Sequence, residues 1–280
     1  DRECSTRRRL EYIDPACATY GTPGFFNVEF YFQPEYGKFH TKSCPAPVTP
    51  KYLIKESANH KKLAKDVHFH QNSHSLVRGW LSAQTLGFWS ALKLVGNVLR
   101  PSSSALEVSS FKHMDPKGTL TIEYQGLEEN GLQVGFKVEE MADRVEGLLR
   151  SIGLLENFSS LVYLVGHGAS SINNTHYAGY DCGACCGRPG SVNARVAAHM
   201  ANHPEVRKVL AERGIVIPED TQFLGGLHDT TKDEIVFFDE EVLSASNQTL
   251  HASHQQKFAK ALDINSLERA RRFDTLKKNN

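Results

Sequence analysis

The sequence lacks an excess of charge of one sign, an unbroken apolar run and an evenly spaced set of cysteines, and each absence excludes something. Its 32 basic residues are matched by 32 acidic ones, so there is no electrostatic footprint for nucleic acid, which is excluded as a partner. Short basic runs such as Arg7-Arg8-Arg9 have acids close by and read as a solvated helix face. The most apolar stretch, Gly79–Leu99, contains Gln84, Lys93 and Asn97 and is flanked by Arg78 and Arg100. A true membrane span would place those groups in hydrocarbon. Within it Leu81, Phe88, Leu92, Val95 and Leu99 fall on one helical stripe. Two readings follow: an amphipathic helix packed on its own protein, or one docked against a membrane partner. Asp1-Arg2-Glu3 brings no initiator Met, basic n-region or apolar h-region, so no signal peptide is expected. The chain then reads as processed, or as a piece of a longer protein.

Of six cysteines, Cys182, Cys185 and Cys186 crowd into five positions, and neighbours so close make poor disulfide partners for one another. They read better as metal ligands or buried small groups in a reducing compartment.

What is present is ordinary globular material: 280 residues, 40% apolar and 23% charged, enough to bury a real core as one large domain or two small ones. Asp1 to about Ile13 reads as a helix broken by Gly21-Thr22-Pro23-Gly24. Phe25–Phe32 alternates as a strand, with Val28, Phe30 and Phe32 on one side. Gln33–Pro50 reads as a loop, Lys51–Arg100 as mainly helical, and Pro101–Ser104 as a linker. In the second half, Thr119–Tyr124 is a short strand. Val138–Ile152 carries helical spacing with Gly153 as its stop, and Leu161–Val165 is a buried strand. Asn193–Asn202 and Pro204–Arg213 are helices, Gln222–Leu227 and Glu234–Phe238 strands, and the tail from Ser244 a polar helix. Helix alternating with strand predicts an α/β fold with a mainly parallel sheet and flanking helices. In such sheets the binding groups gather in loops beyond the carboxyl ends of the strands.

The loop from Gly166 to about Asn193 leaves a strand at that end. His167 follows the strand directly, between two glycines, and Cys182 lies on the far arm. Imidazole and thiolate are ligands that Zn²⁺ favours, and a complete site needs four groups. His176, Asp181, Cys185 and Cys186 are near in sequence. By spacing alone Cys182 and Cys185 could also be half of a structural zinc site or a redox pair, and a histidine after a strand is often plain core. His228-Asp229 with Asp233 could be a hydrolase motif, but it lacks further histidines and reads better as supporting structure. His68, His70 and His74, in a Lys-rich stretch, read as a solvated face.

The stretches Gly166-His167-Gly168-Ala169-Ser170-Ser171, Tyr180-Asp181-Cys182-Gly183-Ala184-Cys185 and Asn193-Ala194-Arg195 strongly resemble the DabA family of bacterial inorganic-carbon uptake proteins. The likeness continues through Gly214-Ile215-Val216-Ile217-Pro218, Asp220-Thr221 and His228-Asp229-Thr230-Thr231-Lys232-Asp233. Arg2-Glu3 with Arg7-Arg8, and Gly21-Thr22-Pro23-Gly24-Phe25-Phe26, look like the family's earlier segment; Pro34–Leu120 is the least distinctive part.

The resemblance implies a β-carbonic-anhydrase-like core over 1–243, with a helical insertion at about 51–100 and a polar helical tail at 244–280. It implies a zinc site of a Cys and an Asp from a Cys-x-Asp-x-Arg motif, then a His and a Cys fifteen apart. The last two carry over onto His167 and Cys182. The motif's Arg falls on Arg2, which would pair with the ligand Asp as the catalytic switch. Asp1 then takes the variable position, and the ligand Cys and Asp would precede residue 1, with Cys4 as a weak substitute. The activity implied is zinc-assisted hydration of CO2 to bicarbonate, coupled to a DabB-like proton-conducting membrane subunit, on a peripheral protein at the cytoplasmic face of the cell membrane. This chain alone would be inactive. The competing class is a non-catalytic binding or scaffold domain whose Cys/His loop is structural.

Overall fold

The computed structural model describes residues 4–35, 37, 39–57, 75–99, 114–169 and 181–273. Among them six helices are α1 (Cys4–Ile13), α2 (Leu76–Leu99), α3 (Val138–Ile152), α4 (Ser191–Asn202), α5 (Pro204–Glu212) and α6 (Ala245–Ala270). The strands are β1 (Tyr31–Gln33), β2 (Thr41–Lys42), β3 (Tyr52–Ser57), β4 (Thr119–Leu120), β5 (Glu128–Glu129), β6 (Leu132–Val134), β7 (Leu161–Gly168), β8 (Gln222–Asp229) and β9 (Glu234–Phe237).

The fold is α/β, but its sheets are mixed where a mainly parallel one was expected. One sheet runs β2-β1-β3-β6-β5 with β4 also on β3; the other runs β7-β8-β9. The parallel pairs are β1 with β3, β3 with β6 and β7 with β8. The short strands β2, β4, β5 and β9 pair antiparallel. β5 with β6, and β8 with β9, are joined by tight turns, which only antiparallel pairs can use.

Two other expectations are corrected. The strand foreseen from Phe25 starts at Tyr31, because Phe26 and Asn27 are in left-handed conformation (φ 52° and 60°). Val28, Phe30 and Phe32 are nonetheless all buried, so the alternation reports burial and not a ladder. The region foreseen as helical from Lys51 opens instead with β3, whose Tyr52-Leu53-Ile54 run is buried at the centre of its sheet. The helix of that region is α2, and its Leu81, Phe88, Leu92 and Val95 are exposed, contrary to packing on the protein's own core. The Pro101–Ser104 linker and the His68, His70 and His74 cluster lie outside the described residues.

The main core fills the space between the sheets and helices α3, α4 and α5. Phe30, Phe136, Met141, Leu149, Met200 and Leu210 are among its fully buried side chains. Helix α3 buries Met141, Ala142, Val145, Leu148 and Leu149 along one stripe and stops at Gly153 (φ 74°), as its spacing predicts. Arg195 of α4 joins distant parts of the chain. It forks onto Asp239 at 2.7 and 2.5 Å and donates to Met114 Sδ at 3.5 Å. On β3, Glu56 is buried and its Oε1 accepts the Asp115 amide at 2.6 Å.

A second, smaller cluster lies under α6, around Leu161, Leu224, Phe237 and Leu243. Tyr163 of β7 projects into it, and its hydroxyl lies 3.0 Å from Nδ1 of both His251 and His254. His251 is held on its other side as well: its Nε2 lies 3.0 Å from Gln255 Nε2 and 3.3 Å from the Glu240 carboxylate, to which Gln255 Nε2 donates at 3.1 Å. Tyr163→Phe leaves both rings short of a partner and is expected to cost about 1–3 kcal/mol of stability, read as a lowered unfolding midpoint.

Burial, with Lys257 adding to it, holds His254 below the usual histidine range. With the folded pKa below the unfolded one, its contribution is complete above the unfolded value of about 6.5 and is lost as pH falls from there through the lower folded pKa. Unfolding midpoints between pH 7.5 and 5 check this, and His254→Asn should flatten the acid limb.

Candidate functional site

The site is built on the parallel pair β7 and β8, whose register runs from Leu161 opposite Gln222 to Gly168 opposite Asp229. That register sets His167 beside His228 at the carboxyl ends of both strands. The two histidines have different surroundings. His228 is buried, and its Nε2 lies 3.2 Å from Asp233 Oδ1. Asp233 in turn accepts from Asn265 at 3.3 Å and from Arg269 of α6, and Arg269 also donates to the Thr230 carbonyl at 2.9 Å. His228 and Asp233 therefore anchor α6 to the β8–β9 turn, in line with a supporting role.

His167 faces the other arm of the loop, which forms a knuckle. Cys182 and Arg188 form an antiparallel bridge. The Cys182 carbonyl accepts from Cys185 N at 3.1 Å and Gly187 N at 3.0 Å, while Cys186 and Gly187 turn back in left-handed conformation. The turn buries Cys182 and Cys185 and leaves Cys186 exposed. Asp181, also buried, accepts the Ala169 amide at 3.0 Å and so ties the two arms together on either side of 170–180.

The third wall comes from far upstream. A methyl placed on Gly24 would lie 2.6 Å from Cys182 Sγ and 3.9 Å from His167 Nδ1, so sulfur and ring nitrogen border the same small space above that glycine. The Gly24 carbonyl accepts the Cys185 thiol at 3.2 Å. Two further contacts hold the segment in place. Asn193 Nδ2 donates to the carbonyls of Val28 and Ser43, each at 2.8 Å, and Arg7 donates to the Thr19 carbonyl at 2.9 Å. Beneath, β7 meets the start of α4 so closely that a methyl on Gly166 would lie 2.3 Å from the Gly190 carbonyl oxygen. Gly190 donates to the His167 carbonyl at 2.9 Å.

Hydrogen bonding to Cys182, followed by burial, pushes the Cys185 thiol well above its usual range. Geometry separates the two cysteines that spacing alone left equivalent: Cys185 donates its thiol to the Gly24 carbonyl, while Cys182 Sγ borders the space it shares with His167. Cys17, Cys44, Cys182, Cys185 and Cys186 are free thiols, and among the described residues no group of three or more His, Cys, Asp or Glu could hold a metal. The donors that meet are thus two, His167 and Cys182. Arg2 and His176 lie outside the described residues. Gly24 was not foreseen as part of the site; the Gly21–Gly24 text signalled only a break.

Fold and site together define an α/β protein with a His/Cys-bearing loop at the carboxyl end of a parallel strand pair. Comparison with known proteins takes this further. The family model described as "Probable inorganic carbon transporter subunit DabA" matches residues 1–280, and the chain belongs to the DabA family. It is 57% identical over 276 residues to a protein of that name from Azotobacter vinelandii and 56% identical over 278 residues to one from Nitrosospira multiformis. It is 37% identical over 289 residues to "Probable inorganic carbon transporter subunit DabA 2" of Sorangium cellulosum. Each match covers 98% of this chain but only 33%, 30% and 28% of those relatives, so the chain spans about a third of their length. No solved structure matches it.

Proposed function

We propose that this chain supplies half of the zinc site of an inorganic-carbon uptake subunit, and that the whole protein hydrates CO2 on a β-carbonic-anhydrase-like core. The carrying observation is the convergence of His167 and Cys182, from opposite arms of the loop, on the space above Gly24. A borderline nitrogen and a soft sulfur suit Zn²⁺, and two donors leave room for two more. In the family pattern those are the Cys and Asp of the Cys-x-Asp-x-Arg motif, with Arg2 as its arginine. Bound zinc supplies a Lewis acid and lowers the pKa of water to about 7.

The chain's own residues hold and tune the donors. β7 fixes the His167 ring, and the bridge to Arg188 fixes Cys182. Cys185, its thiol bonded to the Gly24 carbonyl, braces the segment that walls the site. In the family pattern Arg2 would pair with the ligand Asp, since a planar guanidinium suits bidentate carboxylate binding, and would so open or close the site. A DabB-like proton-conducting subunit would make the uptake of bicarbonate directional, with this protein peripheral at the cytoplasmic face of the membrane.

The test is zinc per chain after dialysis, measured on the full-length protein. About one equivalent is expected, falling to background in His167→Ala and in Cys182→Ala while Cys186→Ala retains it. Zinc retained by both of the first two variants would overturn the reading and leave the loop a structural element of a scaffold domain.

A further inference from the structure

Strand β7 has the sequence of an interior strand and the position of an edge. Its sheet runs β7-β8-β9, so among the described residues β8 is its one strand partner. The bonds at the two ends of the ladder fix which backbone groups β8 takes. The Ser160 carbonyl accepts from the Gln222 amide and the Gly168 carbonyl from the Thr230 amide, each at 2.9 Å. Even-numbered residues of β7 therefore turn their amides and carbonyls toward β8, and odd-numbered ones turn theirs the other way. On that far side Gly190 takes the His167 carbonyl. Among the described residues, the amides and carbonyls of Leu161, Tyr163 and Val165 have no such bond. Natural edges are guarded by a charge, a proline or a bulge. Leu161-Val162-Tyr163-Leu164-Val165 has no charge and no proline, and its register with β8 runs unbroken to Gly168. Such an apolar, β-branched run belongs inside a parallel sheet.

The helices show which way the added strand runs. α6 spans the β7–β8 pair lengthwise: Asn247 donates to the Ser160 carbonyl at 3.2 Å at one end, and Arg269 to the Thr230 carbonyl at 2.9 Å at the other. α1 lies antiparallel on α6, with Arg8 and Arg9 at Glu268 and Asp14 at Lys257. α1 therefore starts at the carboxyl ends of β7 and β8 and runs back toward their amino ends. A strand that feeds such a helix ends where α1 starts, so it runs parallel to β7, as in a βαβ unit. The whole protein has chain to supply it, since the present chain spans about a third of its relatives' length. The zinc reading asks for the same strand. Its two other donors precede residue 1 and are two positions apart, and residues two apart share one face of a strand.

We propose that the segment directly preceding residue 1 in the whole protein is a strand that pairs parallel with the free edge of β7 and leads into α1. Its last residues then lie beside His167, at the carboxyl end of the sheet. The choice of segment rests on the proposed zinc site, while the open edge and the direction of α1 stand apart from it.

The experiment is hydrogen exchange on the full-length protein, resolved to single amides. The Tyr163 and Val165 amides are expected to exchange about 100-fold more slowly than free amides, alongside Leu164, which faces β8. Exchange of both at the free rate beside a protected Leu164 would overturn the proposal. Disulfide trapping then identifies the occupant, with Val165→Cys combined with one cysteine at a time through the segment before residue 1. A bond within one chain is expected, in a register that carries the end of that segment to His167. A bond between two copies of Val165→Cys, or protection with no upstream position trapped, would give the edge to another occupant and also overturn the proposal. Zinc content of the same protein keeps the two readings apart. One equivalent of zinc over an open edge would remove the strand and spare the metal site, and a trapped strand without zinc would do the reverse.

Discussion

Gly24→Ala is expected to weaken zinc binding sharply while every proposed ligand remains in place. The added methyl would stand 2.6 Å from Cys182 Sγ, about 1 Å inside van der Waals contact. The sulfur cannot retreat freely, because the Cys182 backbone is bridged to Arg188 and its carbonyl accepts two amides from the knuckle. Metal–ligand distances tolerate only about ±0.2 Å, so a displacement of this size should lower zinc affinity by about 10–100-fold. The accompanying loss of stability should be about 1–3 kcal/mol, typical of one overpacked methyl. Chelator competition on the full-length protein, with a thermal melt beside it, separates the two effects. Wild-type zinc affinity in Gly24→Ala would show that the metal, if bound, sits elsewhere.

Glu56→Gln is expected to stabilise the protein at pH 8 and to leave it nearly unchanged at pH 4.5. Glu56 is buried on β3, and burial pushes its carboxyl up to about 7. The Asp115 amide and the positive charge of Arg195 offset only part of that cost. With the folded pKa above the unfolded one, the group favours folding below about pH 4.5 and loses that contribution as pH rises through 7. The difference between the two pKa values amounts to about 3 kcal/mol at pH 8. Glutamine keeps an oxygen for the Asp115 amide but cannot ionise. Equilibrium unfolding at intervals from pH 4.5 to 8 should therefore show the wild type losing stability over the upper part of that range relative to the variant. Parallel curves for the two proteins would sink the argument.

The residues differ in how openly they announce their place. Helix α3 was legible because its stripe from Met141 to Leu149 carries the helical period and Gly153 ends it. β7 was legible as a short apolar run, and its partner β8 likewise. The start of β1 was not, since the pattern Val28, Phe30, Phe32 records which side chains are buried, while the left-handed turn at Phe26 and Asn27 decides where pairing begins. β3 was misread because Tyr52-Leu53-Ile54 is too short an apolar run for periodicity to separate strand from helix. At the site, spacing alone left metal, redox and structural roles open for the loop, and it was the family resemblance that singled out His167 and Cys182, which the structure places beside the same glycine. Gly24 was silent: it contributes an absence of side chain and a carbonyl, and its importance exists only once distant segments meet.

The clasp between the two ends of the chain bears on when that meeting can happen. Arg8 and Arg9 of α1 bond to Glu268 of α6 at 2.8 and 2.9 Å, and Lys257 of α6 bonds to Asp14 at 2.6 Å. α1 is thus seated against α6, and it leads directly into the segment that floors the site. With α6 in place, α1 and Gly24 settle against His167 and Cys182. Contacts of such long sequence separation form late, so the floor of the site is among the last parts of the fold to close.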